Sequence, residues 1–284
     1  MKLTICFLLY CVLYAGATTK SCGTVDAALD TPSSERILAQ GLEMVLAKLA
    51  QMDRKLVQLH FDTTTTTPKP QVPSYSSCRN VPSNVSGVYL INPNKDSASF
   101  NVYCEQEKFE GGWIVMQHRF DGSVDFYRNW TQYREGFGEL DSEFWLGLER
   151  IHQLTTARTH ELIVEVRDFR DNYGYARYSS FHVDSESENY KLKVLGSYSG
   201  TAGNSMNYLV GRMFSTLDRD NDGNSDINHA VTNHGAWWYP HGNWSNLNGP
   251  YKNTTDCKGN WWHSLKNDCR GLRFARMMIR ELKR

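Results

Sequence analysis

The chain has 284 residues, of which 31 are basic, 31 are acidic and 40% are hydrophobic. The formal net charge is zero and the basic residues form no stripe, which excludes a broad electrostatic surface for nucleic acid or for an anionic membrane. Beyond the first residues, no segment is apolar enough to span a bilayer.

Residues 1–17 predict a secretory signal peptide and therefore a secreted, extracellular protein. They contain one charge, Lys2, then an apolar run over residues 3–14 and the small residues of a cleavage site at 15–17. The apolar run is shorter than the ~20 residues that a spanning helix needs. An uncleaved anchor is the alternative interpretation.

Export agrees with the cysteines and the glycosylation sequons. Two of the seven cysteines leave with the signal peptide, and an odd number remains, so one is left for a partner chain or stays free. The five that remain are Cys22, Cys78, Cys104, Cys257 and Cys269. Four sequons permit N-glycosylation, at Asn84, Asn129, Asn243 and Asn253.

Residues 18–32 form an N-terminal segment with Cys22, and residues 33–60 predict a coiled-coil helix. Its apolar side chains alternate at spacings of four and three, which is a 3.5-residue seam over three heptads. The seam consists of Leu38, Leu42, Val45, Leu49, Met52, Leu56 and Leu59. We expect the seam to join chains and Cys22 to link them by an interchain disulfide. A helix packed on its own head is the alternative.

Residues 61–77 contain five consecutive threonines and three prolines, a composition typical of an extended spacer. The head that follows, residues 78–284, has the length of one domain. Alternation within the head predicts strands at 98–104, 112–118, 160–169 and 175–183, and a helix at 143–154. After about residue 190 the pattern changes to loops rich in Gly, Asn and Trp. The predicted fold class is α+β, with a mixed, mainly antiparallel sheet followed by a loop-built region.

Residues 118–155 of the head interleave aromatic rings with glycines, which suits a compact and heavily looped domain. This stretch resembles the signature of the fibrinogen-related family, the globular heads of fibrinogen, ficolins, tachylectins and angiopoietins. The resemblance covers about residues 78–284. It continues, in order, through residues 169–181, 196–203, 214–222, 235–239 and 245–249. It implies a fibrinogen C-terminal-like domain with a disulfide between Cys78 and Cys104, which leaves Cys257 and Cys269 as the natural second pair.

Alternating carboxylates between residues 218 and 222 predict a Ca²⁺ site, because such a run on an irregular loop gathers hard oxygen ligands. An EF-hand is rejected, since the twelfth position of the loop is not a glutamate. The resemblance implies one structural calcium ion, held by the side chains of Asp220 and Asp222 and by backbone carbonyls near Asn224 and Asp226. A solvated acidic turn is the alternative.

The resemblance also implies a pocket for acetylated sugars or amines beside the calcium, and there this chain departs from the lectin members. The cysteines of the pocket disulfide fall at His229 and Gly242, its histidine at Asn243, and one aromatic position at Asn233. We therefore expect an altered or absent acetyl pocket. A remodelled ligand surface is predicted instead at Asn233, Tyr239, Asn243, Tyr251, Trp261 and Trp262.

Two features of this region have alternative interpretations. Trp261 and Trp262 lie between Cys257 and Cys269, where indole rings either bind a sugar or protein partner or pack under the loop. His229, His234 and His241 have a spacing that permits zinc, but nothing else in the sequence supports it.

No catalytic signature is present, so an enzyme is not expected. The serines of Gly196-Ser-Tyr-Ser-Gly200 are misplaced for a nucleophile elbow, and His160-Glu161 lacks the second histidine of a zinc protease. Two binding classes remain. The first is a secreted, oligomeric, lectin-like protein that binds carbohydrate or acetylated surface groups in innate immunity. The second is a ligand or matrix component that binds a protein receptor without a sugar site.

Overall fold

The structure is a computed structural model that describes residues 32–62, 73–94, 97–240 and 244–283, with the side chains of the first helix described over residues 40–56. The chain divides into two compact units. The first contains helix α1 (Pro32–Asp62), in the region where a coiled-coil helix was predicted over 33–60. The second is the head. The predicted signal peptide, Cys22 and most of the predicted spacer lie outside the described residues.

A sheet of ten strands forms the framework of the head, and a separate two-stranded ribbon lies in the loop region. The strands are β1 (Gly87–Ile91), β2 (Phe100–Glu105), β3 (Trp113–Arg119), β4 (Phe137–Gly138), β5 (Phe144–Trp145), β6 (His160–Asp168), β7 (Tyr173–Val183), β8 (Leu192–Leu195), β9 (Tyr198–Gly200), β10 (Ser245–Asn246), β11 (Trp261–Trp262) and β12 (Leu272–Glu281). The main path runs β1-β2-β3-β12-β6-β7-β8, and β10 pairs with β11. Every pairing between these strands is antiparallel, which confirms the predicted α+β class with a mainly antiparallel sheet.

Three short helices accompany the sheet: α2 (Trp130–Glu135), α3 (Leu148–Ala157) and α4 (His229–Thr232). All four predicted strands are confirmed with shifts of a few residues at their ends. The helix predicted over 143–154 is corrected, because α3 begins only at Leu148. The preceding residues Phe144 and Trp145 pair with β3 instead, with both rings buried.

The central strand β12 was not predicted. Its sequence, residues 272–281, has arginines three and four residues apart among apolar residues. It belongs to the part of the chain that was predicted to consist of loops. It pairs with β3 on one side and with β6 on the other, so the C-terminal part of the chain lies in the middle of the sheet. Both Arg276 and Arg280 are almost fully buried in this strand, each against a glutamate.

Two disulfide bonds tie loops to this framework, and both join the cysteines that were paired from the sequence. Cys78 bonds Cys104 of β2 with an S–S distance of 1.97 Å. Cys257 bonds Cys269 with an S–S distance of 2.02 Å, closing the loop that leads to β12. Among the described helices, none has the length and apolar character needed to cross a membrane.

Candidate functional site

The structure corrects half of the predicted ligand surface, because three of its six residues are buried. Trp261 is 1% exposed, and Trp262 and Tyr239 are not exposed at all. Both indoles of β11 are buried, and Trp262 donates its Nε1–H to the carbonyls of Ala202 (3.1 Å) and Gly203 (3.2 Å). Trp262 and Tyr239 belong to the hydrophobic core, and the Trp261 ring is equally closed to solvent, so none of the three presents a surface to a ligand.

Two predicted residues remain at the surface. Asn233 is half-buried and donates its side-chain amide to the carbonyl of His229 at 2.9 Å. Tyr251 is also half-buried, and its hydroxyl donates to the carbonyl of Phe120 at 2.9 Å. Asn243 lies outside the described residues.

Tyr251 forms one wall of a cleft of about 440 Å³. The ring of Tyr127 also lines the cleft, and its centroid lies 5.1 Å from that of His234. The cleft is lined by Arg119, residues 122–127, His234, Pro250 and Tyr251. We call it the Tyr127–Tyr251 cleft. Two aromatic walls with an exposed histidine at the rim suit the rings and polar edges of a small ligand.

The floor of the Tyr127–Tyr251 cleft is rigid and charged. The buried Arg119 guanidinium lies 3.8 Å from the centre of the Phe126 ring. One of its nitrogens, Nη1, donates to the carbonyl of Gly249 at 2.9 Å. Its side chain also forms an ion pair with Glu143, with Nε 3.7 Å from Oε2.

The side-chain carboxylate of Glu143 holds the cleft-forming loop by accepting hydrogen bonds from the backbone of that loop. Its carboxylate has no solvent exposure and accepts four backbone N–H bonds. Oε1 accepts from Phe120 (2.6 Å), Asp121 (3.0 Å) and Gly122 (3.0 Å), and Oε2 accepts from Val124 (3.2 Å). Gly122 has a φ of 75°, and a Cβ there would lie 2.8 Å from the Tyr251 ring, so glycine is required for this close approach. The position of the loop therefore depends on one buried carboxylate.

The acidic loop brings Asp222 inward and leaves Asp220 exposed. The Oδ2 atom of Asp222 accepts from the N–H of His229 and lies 2.8 Å from its Nδ1, while Oδ1 accepts from the N–H of Asn224 at 2.8 Å. Burial raises the pKa of the Asp222 carboxyl, but the bonds from His229 and Asn224 outweigh this and hold the pKa below its usual value. Asp222 is therefore an ionised carboxylate at neutral pH.

The carboxylates of Asp220 and Asp222 are of the ligand type that Ca²⁺ prefers, and both oxygens of Asp222 already accept bonds from His229 and Asn224. Within the described ranges, no three His, Cys, Asp or Glu side chains converge on one point. Asp226 donates its own N–H to the side chain of Asn224 at 2.9 Å, as part of the turn. Asp218 instead accepts the N–H of Trp130 at the start of α2 at 2.8 Å. The first aspartate of the run thus connects the acidic loop to the start of α2.

Three of the four predicted glycosylation sites lie within the described residues. Asn84, Asn129 and Asn253 are exposed. Asn129 is also the N-cap of α2, where its side-chain oxygen accepts from the N–H of Gln132 at 3.0 Å and leaves its amide nitrogen available for a glycan.

Comparison with known proteins places these observations in a family. Residues 75–282 match the family model described as fibrinogen beta and gamma chains, C-terminal globular domain. The human "Fibrinogen C domain-containing protein 1" is 45% identical over 205 residues, which cover 69% of this chain and 44% of that protein. "Fibrinogen-like protein A" of Apostichopus parvimensis is 44% identical over 198 residues, covering 69% of each. The chain thus spans less than half the length of the first of these relatives.

Solved structures agree with this comparison. The fibrinogen-like globe domain of human ANGPTL2 superposes with a TM-score of 0.70 at 38% identity, over 73% of this chain and 99% of that one. Lamprey fibrin D-dimer, complexed with the peptide Gly-His-Arg-Pro-amide, gives a TM-score of 0.66 at 30% identity, over 89% of this chain and 91% of that one. The chain belongs to the fibrinogen C-terminal domain family.

Proposed function

We propose that the protein is a secreted, oligomeric, calcium-binding recognition protein whose head binds carbohydrate or similar groups on the surfaces of microbes or cells, as in innate immunity. The observation that carries the proposal is the Tyr127–Tyr251 cleft, an open site lined by aromatic rings. Helix α1 would gather several heads, and multivalency would convert weak single sites into tight binding.

Acetyl groups are not expected to be the main determinant of the ligand. The positions of the pocket cysteine and of one pocket aromatic are His229 and Asn233. His229 bonds Asp222, and Asn233 bonds the backbone of α4. Neither side chain presents a hydrophobic wall for a methyl group. The cleft instead offers the rings of Tyr127 and Tyr251.

A glycan array with the full-length oligomer, run with calcium and with a chelator, tests this function. We expect calcium-dependent binding that N-acetylglucosamine does not displace, and a loss of roughly tenfold or more in affinity for Tyr127→Ala, because ring truncation at a binding hot spot has this effect. Tyr208→Ala is the matched control, since Tyr208 is 56% exposed and lies outside the cleft. Clean elution by N-acetylglucosamine, or equal binding by the two variants, would show that the cleft is not the site.

Calcium should stabilise the head. At a hundredfold excess over its dissociation constant a ligand adds about 2.7 kcal/mol, which corresponds to a melting temperature higher by roughly 5–10 °C for a domain of this size. Asp220→Ala should melt at the temperature of the chelated wild type and should not respond to a chelator. Asp220 is the sharper variant, because Asp222→Ala also breaks the bonds to His229. A wild-type melt that a chelator leaves unchanged would remove calcium from the proposal.

A protein receptor is the second candidate partner. Lamprey fibrin, similar to this chain in fold, is complexed with a peptide, and the lectin pocket residues are replaced here. A protein that is silent on the glycan array but bound by a receptor in a Tyr127-dependent manner would favour this alternative.

A further inference from the structure

One face of the central sheet carries rows of charges. Residues paired across antiparallel strands lie on the same face of a sheet. Arg276 of β12 is paired with Glu165 of β6, and Arg280 is paired with Glu161. Arg276 also bonds Glu105, and Arg177 of β7 donates to Glu161 at 2.7 Å. The three arginines and the three glutamates of these two rows therefore neutralise one another.

The short segment 108–111 covers the two self-neutralised rows. The Phe109 ring packs 5.2 Å from that of Tyr175, and Arg280 donates to the carbonyls of Phe109 (2.8 Å) and Gly111 (3.0 Å). The next row of the same face, with Phe274 paired to Arg167 and Arg167 to Tyr173, extends beyond this cover. It opens into a cleft of about 460 Å³.

We call this second site the sheet-face cleft. It is lined by Lys108, Phe120, Arg167, Phe169, Tyr173, Tyr251, Arg273 and Phe274. Its rings present faces to solvent, since Phe120 is 38% and Tyr173 42% exposed. Cations lie over two rings of the cleft, with Arg167 5.4 Å from the centre of Tyr173 and Lys108 6.0 Å from that of Phe274. The cleft therefore combines partly exposed aromatic rings with cations.

The cations of the sheet-face cleft are only partly neutralised. Arg273 bonds Asp171 at 2.7 Å, and Arg167 lies 3.7 Å from the same carboxylate. Lys108 lies 3.4 Å from Glu165, which is already bonded to Arg276. Arg167 and Arg273, which are 40% and 42% exposed, thus share one exposed carboxylate, and this part of the cleft carries an excess of positive charge.

We propose that the sheet-face cleft is a second binding site, which takes an acidic saccharide. Arginine forks bind carboxylate and sulfate oxygens in pairs, and aromatic faces accommodate the ring of a sugar. The volume matches that of pockets for small ligands. An extended nucleic acid does not fit, because the chain as a whole has no net charge and no basic stripe. The site is distinct from the Tyr127–Tyr251 cleft and shares only the Tyr251 wall with it.

The test uses the full-length protein in a chelator, so that calcium-dependent binding at the other cleft does not contribute. Heparin supplies sulfate and carboxylate, hyaluronate carboxylate alone, and dextran neither, so these three polysaccharides identify the group that is recognised. We expect binding of heparin, of hyaluronate or of both, no binding of dextran, and affinity that falls as salt rises. Arg167→Gln/Arg273→Gln should lower affinity for the bound acidic saccharide by roughly tenfold or more, because bonds to charged groups are lost. Lys258→Gln/Lys266→Gln removes the same charge from exposed positions outside the cleft and should have no effect.

The aromatic rings of the sheet-face cleft distinguish an acidic saccharide from anions that have no sugar ring. Phe120→Ala should weaken binding of that saccharide but leave binding of inorganic polyphosphate and of polyglutamate unchanged, because neither has a sugar ring. Thermal melts of all variants test whether unfolding causes a loss of binding. We expect unchanged melting temperatures, because the substituted side chains are exposed. The proposal is overturned if the two charge variants bind equally, if Phe120→Ala has no effect, or if polyglutamate binds as tightly as heparin, which would indicate an acidic protein partner. Tyr127→Ala should leave this binding intact, so that failure of one site does not imply failure of the other.

Discussion

Glu143→Ala is expected to lower the free energy of unfolding of the head by about 3–5 kcal/mol, the usual consequence of removing one partner of a buried ion pair. The substitution leaves Arg119 buried without a counter-ion and deprives four backbone N–H groups of their acceptor. The loop that these groups hold forms one side of the Tyr127–Tyr251 cleft. Ligand binding should therefore be lost along with stability.

Thermal and denaturant unfolding of the head measure this effect. Glu139→Ala is the matched control, because Glu139 lies in the same connection but is exposed, so its removal should change stability by less than about 0.5 kcal/mol. Glu143→Gln should fall between the two, since an amide keeps one acceptor oxygen but not the charge. If Glu143→Ala melts at the temperature of Glu139→Ala, the loop does not depend on the buried carboxylate.

Glu143 also shows why the sequence misplaced a helix. Residues 143–154 have the apolar spacing of a helix, yet the first part of this segment is used otherwise. Glu143 binds a distant backbone loop, and Phe144 pairs with β3. Both are tertiary contacts, which override local propensity and leave no periodic signal in the sequence. Strands β3, β6 and β7 were predicted from the alternation in their own sequences, although only β7 alternates in burial and β3 and β6 are buried almost throughout.

Strand β12 was missed for a related reason. Arg276 and Arg280 resemble solvent-facing residues, but here they are 6% and 4% exposed and are neutralised by glutamates of β6. Their partners lie more than a hundred residues away in the chain. A pattern of arginines gives no indication of burial when the compensating charges are remote in sequence. The family motifs identified the fold where periodicity could not.

The candidate site was predicted in region but not in most of its residues. Tyr251 was identified correctly as a surface residue, whereas Trp261 and Trp262 are buried. Large rings bind ligands and fill cores equally well, and only the tertiary packing of the loop region, in which both indoles are buried, decides between these roles. Tyr127 and His234 were not predicted as ligand residues. The first lies in the aromatic stretch 118–155, but nothing in the sequence indicates that its ring meets His234.

Leu49→Asp is expected to abolish assembly of the protein at micromolar concentration. Along the described side chains of α1, the seam residues are each more than half exposed, at 53–63%. They are Leu42, Val45, Leu49, Met52 and Leu56. Burying a leucine contributes about 1.5–3 kcal/mol to the free energy of assembly. Each chain that joins the assembly buries its own Leu49, so the contribution is repeated for every chain. An aspartate at the same position loses this term and in addition places charges side by side in an apolar interface.

Ala50→Asp is the matched control, because it adds the same charge one residue along the helix and away from the seam. It should leave the mass measured by light scattering unchanged, whereas Leu49→Asp should give the mass of one chain. Cys22→Ser should remove the covalent multimers expected on non-reducing electrophoresis but not the non-covalent assembly, since the seam, and not the disulfide, is proposed to bring the chains together. A wild-type protein that scatters as a monomer, or a Leu49→Asp variant that keeps the wild-type mass, would contradict assembly through α1. The head would then have to bind its ligand without multivalency.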